Sequence, residues 1–268
     1  MTETRPANAP SSADMPDHHA HSPEPTTALD PATRTPTSPP RLTAALMVLG
    51  AGAQVPLGLL HPHQAQPNDS RAAFAEYAHS HDWVLIHLGQ YLGTLLITIG
   101  LVTLALNQAR RAGVTGQLGR IAAVTALVST GVFAVQMAVD GVALKAAVDH
   151  WSTAASAERA AAYGVADSIR SLEKGLSALF HLNNGLTLLA LGLAALAHRR
   201  THILGWLGLT AGVGFLVEAV ATAQSGFSPQ ASTFALVPTL LLIAFLVGAA
   251  HSLWRTSSAT ITTPRTTH

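Results

Sequence analysis

Residues 83–106, WVLIHLGQYLGTLLITIGLVTLAL, decide how this chain is read. The run holds no Asp, Glu, Lys or Arg, and it exceeds the ~20 apolar residues that cross a bilayer as a helix. Five further stretches have the same character, at 42–61, 119–147, 176–198, 203–224 and 232–254. Backbone polar groups in lipid must be satisfied within the segment, so continuous apolar runs predict helices. A membrane barrel would instead need alternating strands of about ten residues. The expected fold class is therefore all-α, a polytopic membrane bundle of six transmembrane helices within residues 41–255. Pro238 predicts a kink in the sixth span.

Composition agrees. Of 268 residues, 49% are hydrophobic and only 11% charged, against about 25% charged in a soluble domain. Cysteine is absent, which excludes disulfides, thiolate zinc sites and cysteine nucleophiles. The net charge of +1, with scattered arginines, is not the footprint of a nucleic-acid binder. The expected partner is a lipid bilayer, and protein partners are left open. No phosphate-binding loop, dinucleotide fingerprint or nucleophile elbow occurs.

Outside the spans the chain changes character. Residues 1–40 carry nine of the 15 prolines with many Ser and Thr; such a segment buries too little apolar surface to offset its ordering entropy. Residues 1–40 and 256–268 are expected to be disordered cytoplasmic tails. No apolar h-region near Met1 indicates a signal peptide. His18, His19 and His21 in the first tail read as solvated residues.

Charge sorts by side. Arg5, Arg34, Arg41, Arg110, Arg111, Arg120, Arg199, Arg200, Arg255 and Arg265 fall on one side of the six spans, ten of the 15 basic residues. Asp69, Glu76, Asp82, Asp149, Glu158, Asp167 and Glu173 fall on the other. The excess of Arg predicts both termini in the cytoplasm, in a plasma membrane. Trp83 and Trp151 then mark the outer interface and Trp206 and Trp254 the inner one. Two long connections, 62–82 and 148–175, lie outside. The second is rich in helix formers but interrupted by Gly164, which predicts one or two short surface helices.

Polar residues within the spans cluster by depth. Gln54 and His61 share a face of the first span. His87, Gln90, Tyr91, Thr94 and Thr98 form a helical stripe on the second. Gln136 and Asp140 share a face of the third, and Ser177, His181 and Asn184 a face of the fourth. Glu218 lies in the fifth. His87, Asp140, His181 and Glu218 all fall roughly 6–10 Å below the outer surface at 1.5 Å per residue. Intramembrane ionisable groups mark functional sites by default, whereas Gln, Asn and Thr also join helices by hydrogen bonds. The expectation is an outward-facing pocket of Gln54, His87, Gln90, Tyr91, Gln136, Asp140, His181, Asn184 and Glu218, binding or sensing a small ligand or ion.

Histidine opens further chemistries. His61 with His63, and His79 with His81, flank the first loop as two His-x-His pairs that could present imidazoles to a divalent metal. His87 and His181, at similar depth on different helices, could ligate a b-type haem axially. A hydrolytic metal site is a further alternative, with His61, His87 and His181 as ligands and Asp140 or Glu218 activating water. In outline that resembles membrane hydrolases with three His and an acid, but no HExxH motif supports it. A transporter is the remaining alternative, and the apolar inner halves of the spans disfavour a continuous polar path.

The segment from His61 to Gln90, HP…FAEYAHSHDWVLIHLGQ, with His61 and Pro62 ending one helix and Trp83 and His87 opening the next, resembles a group of uncharacterised multi-pass bacterial membrane proteins. Asp140 late in the third span also fits, and the likeness covers most of 42–225. That family has no assigned activity, so the resemblance implies a membrane fold and no catalytic residue. All but two of the 15 basic residues, Lys145 and Lys174, are Arg, which together with the abundance of Ala looks like a GC-rich bacterial genome.

Overall fold

The computed structural model describes residues 40–62, 64–66, 68–197 and 202–259. Among them every regular element is helical: α1 Pro40–Leu60, α2 Ser70–Ala78, α3 Trp83–Ala109, α4 Gly113–Ala138, α5 Lys145–Thr153, α6 Arg159–Leu196, α7 His202–Ser225 and α8 Pro229–Ala259. A π-helical segment, Val139–Leu144, joins α4 to α5 without a break. Six helices are long and apolar enough to cross a membrane: α1, α3, the continuous Gly113–Thr153, α6, α7 and Pro229–Arg255 of α8. Their outward faces are apolar, with Leu49, Leu59, Leu85, Ile203 and Leu240 all exposed. Such a surface suits hydrocarbon, which solvates leucine as well as a protein core does. Of the two tails, 1–39 and 260–268 lie outside the described residues, as does His63, whereas Pro40 opens α1 and residues 256–259 continue α8.

The six long helices close into a ring. α1 packs on α3, α3 on α4, α4 on α6, α6 on α7, α7 on α8, and α8 returns to α1. Each helix thus lies beside its sequence neighbour, as short connections demand. One apolar core fills the ring, around Met47, Leu101, Ala122, Leu188, Leu191, Phe215 and Phe245. A second core caps the end where α2 lies, built from Phe74, Tyr77, Trp83, Leu144, Val148, Trp151, Ala162 and Ala166.

That cap departs from the sequence reading in two ways. Residues 148–175 do not form separate short helices. α5 ends at Thr153, and α6 then runs unbroken for 38 residues through Gly164. One Gly costs a helix only about 1 kcal/mol relative to Ala, and the Ala, Leu, Arg and Glu around it offset that. Burial of Ala162, Ala166, Arg170 and Glu173 against the cap holds the extension in place. Trp83 and Trp151, expected in an interfacial belt, are instead packed inside the cap. Trp206 and Trp254 stay exposed. The helix α2 is set by Asp69, whose carboxylate accepts from the Ala72 N–H at 3.0 Å as an N-cap. α8 continues across Pro238, whose ring sits against Gly214, where any Cβ would lie 2.8 Å from the proline Cβ.

Hydrogen bonds tie the ring together. Gln54 Nε2 donates to the Gln90 carbonyl at 2.8 Å and to Thr94 Oγ1 at 2.7 Å, joining α1 to α3. Thr98 and Thr130 share a 2.6 Å bond between α3 and α4. Ser129 donates to Asn184 Oδ1 at 3.0 Å, and Thr187 to Thr125 at 2.8 Å, joining α4 to α6. Interhelical bonds of this kind average only ~0.6 kcal/mol. Gln54→Leu, which removes two, is therefore expected to cost about 1 kcal/mol. A small fall in the thermal midpoint in detergent would register it, and an unchanged midpoint would show that the pair carries no weight.

Candidate functional site

The capped end of the bundle gathers ionisable side chains from four elements. His61 follows directly on α1. His87 lies in the second turn of α3, one turn after Trp83. Asp140 lies in the π segment, and Arg170 and Glu173 lie one turn apart on α6, so they share a face. His87 Nε2 approaches Asp140 Oδ2 to 2.9 Å, with His87 only 1% and Asp140 6% exposed. His87 Nδ1 lies 2.7 Å from the Trp83 carbonyl. A carbonyl can only accept, so Nδ1 carries the proton and Nε2 meets the carboxylate. His61 repeats the pattern, its Nδ1 donating to the Pro62 carbonyl at 2.9 Å. One ligating atom each from His61, His87 and Asp140 fall within 4.8 Å of one another.

The π segment allows this approach. π turns within helices are frequent at functional sites. Here the Asp140 carbonyl accepts from the Trp83 indole at 2.9 Å, which fixes the wide turn to α3. Gly141 keeps the helices close: a Cβ there would lie 2.7 Å from the His87 Cβ. The Trp83 ring flanks both imidazoles, at 4.5 Å from His87 and 4.9 Å from His61 between centroids. Burial pulls the His61 imidazole below its ordinary titration range, opposed by the nearby Asp140 charge.

Beside this group lies a cavity of about 290 Å³, lined by His61, Glu76, Tyr77, Gln136, Arg170, Glu173, Phe227 and Ser232 among others. Arg170 is 2% exposed. Its Nη1 donates to the Tyr77 hydroxyl at 2.9 Å, and its guanidinium sits over the rings of Phe74, Tyr77 and Phe227 at 5.3–5.7 Å. Burial raises the Tyr77 phenol above its usual value, with Arg170 pulling the other way. The Glu76 carboxylate accepts from the Gln64 and Ala65 N–H groups, both at 3.0 Å, and so anchors the loop over the cavity. Glu173 Oε2 and Gln136 Oε1 are buried in the wall without a hydrogen-bond partner.

The remaining sequence candidates are dispersed. His181 meets Glu218 on α7, Nδ1 to Oε1, at 3.3 Å and without hydrogen-bond geometry, so it pairs with a different carboxylate from His87. Gln54, Gln90 and Asn184 take part in the interhelical bonds already described. Tyr91 is half-buried on α3. His79 is exposed, its Nδ1 donating to the Ala75 carbonyl at 2.7 Å, and His81 is exposed beside it. Among the described residues, only His61, His87 and Asp140 form a group of three possible metal donors. Tyr77, Arg170 and Glu173 are the site residues that the sequence reading missed. A signal for the last two existed: Arg170, Glu173, Ser177, His181 and Asn184 fall on one helical stripe, which extends the polar face of the fourth span back into the supposed loop.

No family model, curated protein or solved structure matches the chain.

Proposed function

We propose that this is a multi-pass protein of a bacterial plasma membrane, with both termini cytoplasmic. In this reading it binds from the extracytoplasmic side a small ligand rich in hydrogen-bond donors, an ammonium group above all. The observation that carries it is the pair of buried acceptors without partners, Glu173 Oε2 and Gln136 Oε1, in the wall of one cavity. A buried acceptor left unpaired costs roughly 1–3 kcal/mol, so a donor entering the cavity recovers that energy. Glu76 and Glu173 both bring carboxyl oxygens to the lining, beside one guanidinium, Arg170. The orientation rests on the arginine asymmetry. Binding is favoured over conduction because the core below the capped end is Leu, Ala, Phe and Met.

The chain has no cysteine, so single cysteines report cleanly. Ser232→Cys, at the cavity, is expected to react with a membrane-impermeant maleimide in intact cells. Ala112→Cys, between α3 and α4, should react only after permeabilisation. Ethylammonium, and not acetate, should slow labelling of Ser232→Cys, and Glu173→Gln should remove that protection. The reverse labelling pattern would sink the orientation. Equal protection by acetate, or protection by neither ion, would sink the ligand class.

A further inference from the structure

We propose that His61, His87 and Asp140 bind one divalent transition-metal ion of the zinc class, with a coordination position left open toward the cavity. This goes beyond the ligand reading and does not rest on it; the two share only His61, which lines the cavity.

The hydrogen bonds of both imidazoles leave Nε2 as the ligating atom. His87 spends its Nδ1 proton on the Trp83 carbonyl. The neutral ring then turns the lone pair of Nε2 toward Asp140 Oδ2, which also bears lone pairs, at 2.9 Å. Two acceptors held that close need a shared cation between them, either a proton or a metal ion. His61 is prepared in the same way, with Nδ1 committed to the Pro62 carbonyl. A ligating imidazole characteristically donates its other N–H to a backbone carbonyl, which fixes the tautomer and aims the ring.

The spacing suits one ion. Ligands at ~2.1 Å from zinc lie about 3.0–3.4 Å apart for angles between a right angle and the tetrahedral value. The 2.9 Å between His87 and Asp140 is close to the lower figure. All three donors fall within 4.8 Å, so closure asks for a shift of no more than about 1.4 Å at these bond lengths. His61, just past the end of α1, is the group best placed to supply it. The surroundings also fit. The Trp83 indole packs beside both rings and keeps the local dielectric low, which strengthens attraction between carboxylate and cation. Two imidazoles and one carboxylate are borderline donors, suited to Zn(II), Co(II), Ni(II) or Fe(II) and poorly to Ca(II) or Cu(I). Three protein ligands leave an open place, as catalytic and exchange sites do, whereas structural zinc sites close with four.

The rival is a proton, making His87 and Asp140 a buried ion pair and His61 a bystander. Titrating full-length, chelator-treated protein in detergent with Co(II), followed by its visible ligand-field absorption, separates the two. The expected result is one equivalent bound and then displaced by Zn(II). His61→Ala and Asp140→Asn should each weaken binding about a hundredfold or more, since even losing a group that only hydrogen-bonds a ligand costs about 10–100-fold. Replacing His18, His19 and His21 together with Ala should leave it unchanged. His61 lies outside the helices, so His61→Ala retains the helical circular dichroism and answers the question even if Asp140→Asn does not fold. No Co(II) or Zn(II) uptake by folded protein would overturn the proposal. So would uptake that survives His61→Ala at full affinity. Either result would leave the maleimide labelling of Ser232→Cys unaffected, so the two readings fail separately.

Discussion

Arg170→Leu is expected to loosen the whole capped end of the bundle and cost about 3–5 kcal/mol, the range for breaking a buried charge interaction. Arg170 is 2% exposed and ties α6 to two other parts of the fold. It donates to Tyr77 of α2, stacks on Phe74 of α2, and stacks on Phe227 between α7 and α8. It also lies close enough to Glu173, one turn along α6, for their charges to interact. Leucine supplies similar bulk but leaves the carboxylate and the phenol buried without that cation. Tyr77→Phe removes only one charge-assisted hydrogen bond and is expected to cost about 1.5–3 kcal/mol. The thermal midpoint in detergent should fall for both variants, further for Arg170→Leu. Proteolysis within Ser70–Ala78 should rise sharply only for Arg170→Leu, because α2 loses both of its guanidinium contacts. A protease pattern identical to that of the parent would show that α2 is held by its apolar contacts alone.

The six apolar helices were legible because lipid imposes a local rule: length and continuity of apolar residues suffice, and no partner need be known. The place of His87 near the start of a long apolar helix, and of Asp140 late in the next, was legible for the same reason. Their partners were not. Which residue meets which depends on the rotation of each helix and on ring order, and neither leaves a mark in hydropathy. Thus His87 meets Asp140 while His181 meets Glu218, although counting along the apolar runs gives all four the same expected depth. The π segment was hidden as well. VDGVAL at 139–144 holds no proline and reads as ordinary helix, yet its wide turn and Gly141 are what bring Asp140 against His87. Arg170 and Glu173 were hidden by the opposite error. Charge and Gly164 made residues 148–175 look like a connection, when tertiary burial had made them helix. Trp83 follows the same logic: its statistics favour an interface, and its indole N–H found the Asp140 carbonyl inside.

Gly192→Leu is expected to prevent normal assembly of α6 with α7, with a cost above the 1–3 kcal/mol usual for overpacking. A Cβ at Gly192 would lie 2.7 Å from the Leu209 nitrogen and 2.8 Å from the Gly205 carbonyl oxygen. These are backbone atoms, so no flexible side-chain end can give way, and the helices themselves must separate. The close approach recurs two turns away, where Gly185 and Gly212 each bring a hypothetical Cβ within 2.9 Å of the other's carbonyl oxygen. Membrane helices associate by such backbone proximity, because lipid offers apolar side chains no less than a neighbouring helix does. The same interface holds His181 against Glu218, so separating it would also expose that pair. Gly164→Leu is the control. It lies in the same helix, nothing stands within 4 Å of its Cβ position, and it should be neutral or more stable by up to about 1 kcal/mol. The comparison is made on the yield of monodisperse protein and on the thermal midpoint. Equal behaviour of the two variants would mean that α6 and α7 do not approach as closely as the structure places them. A collapse confined to Gly192→Leu would show that this glycine seam, rather than the polar groups beside it, sets the register in which His181 and Glu218 face each other.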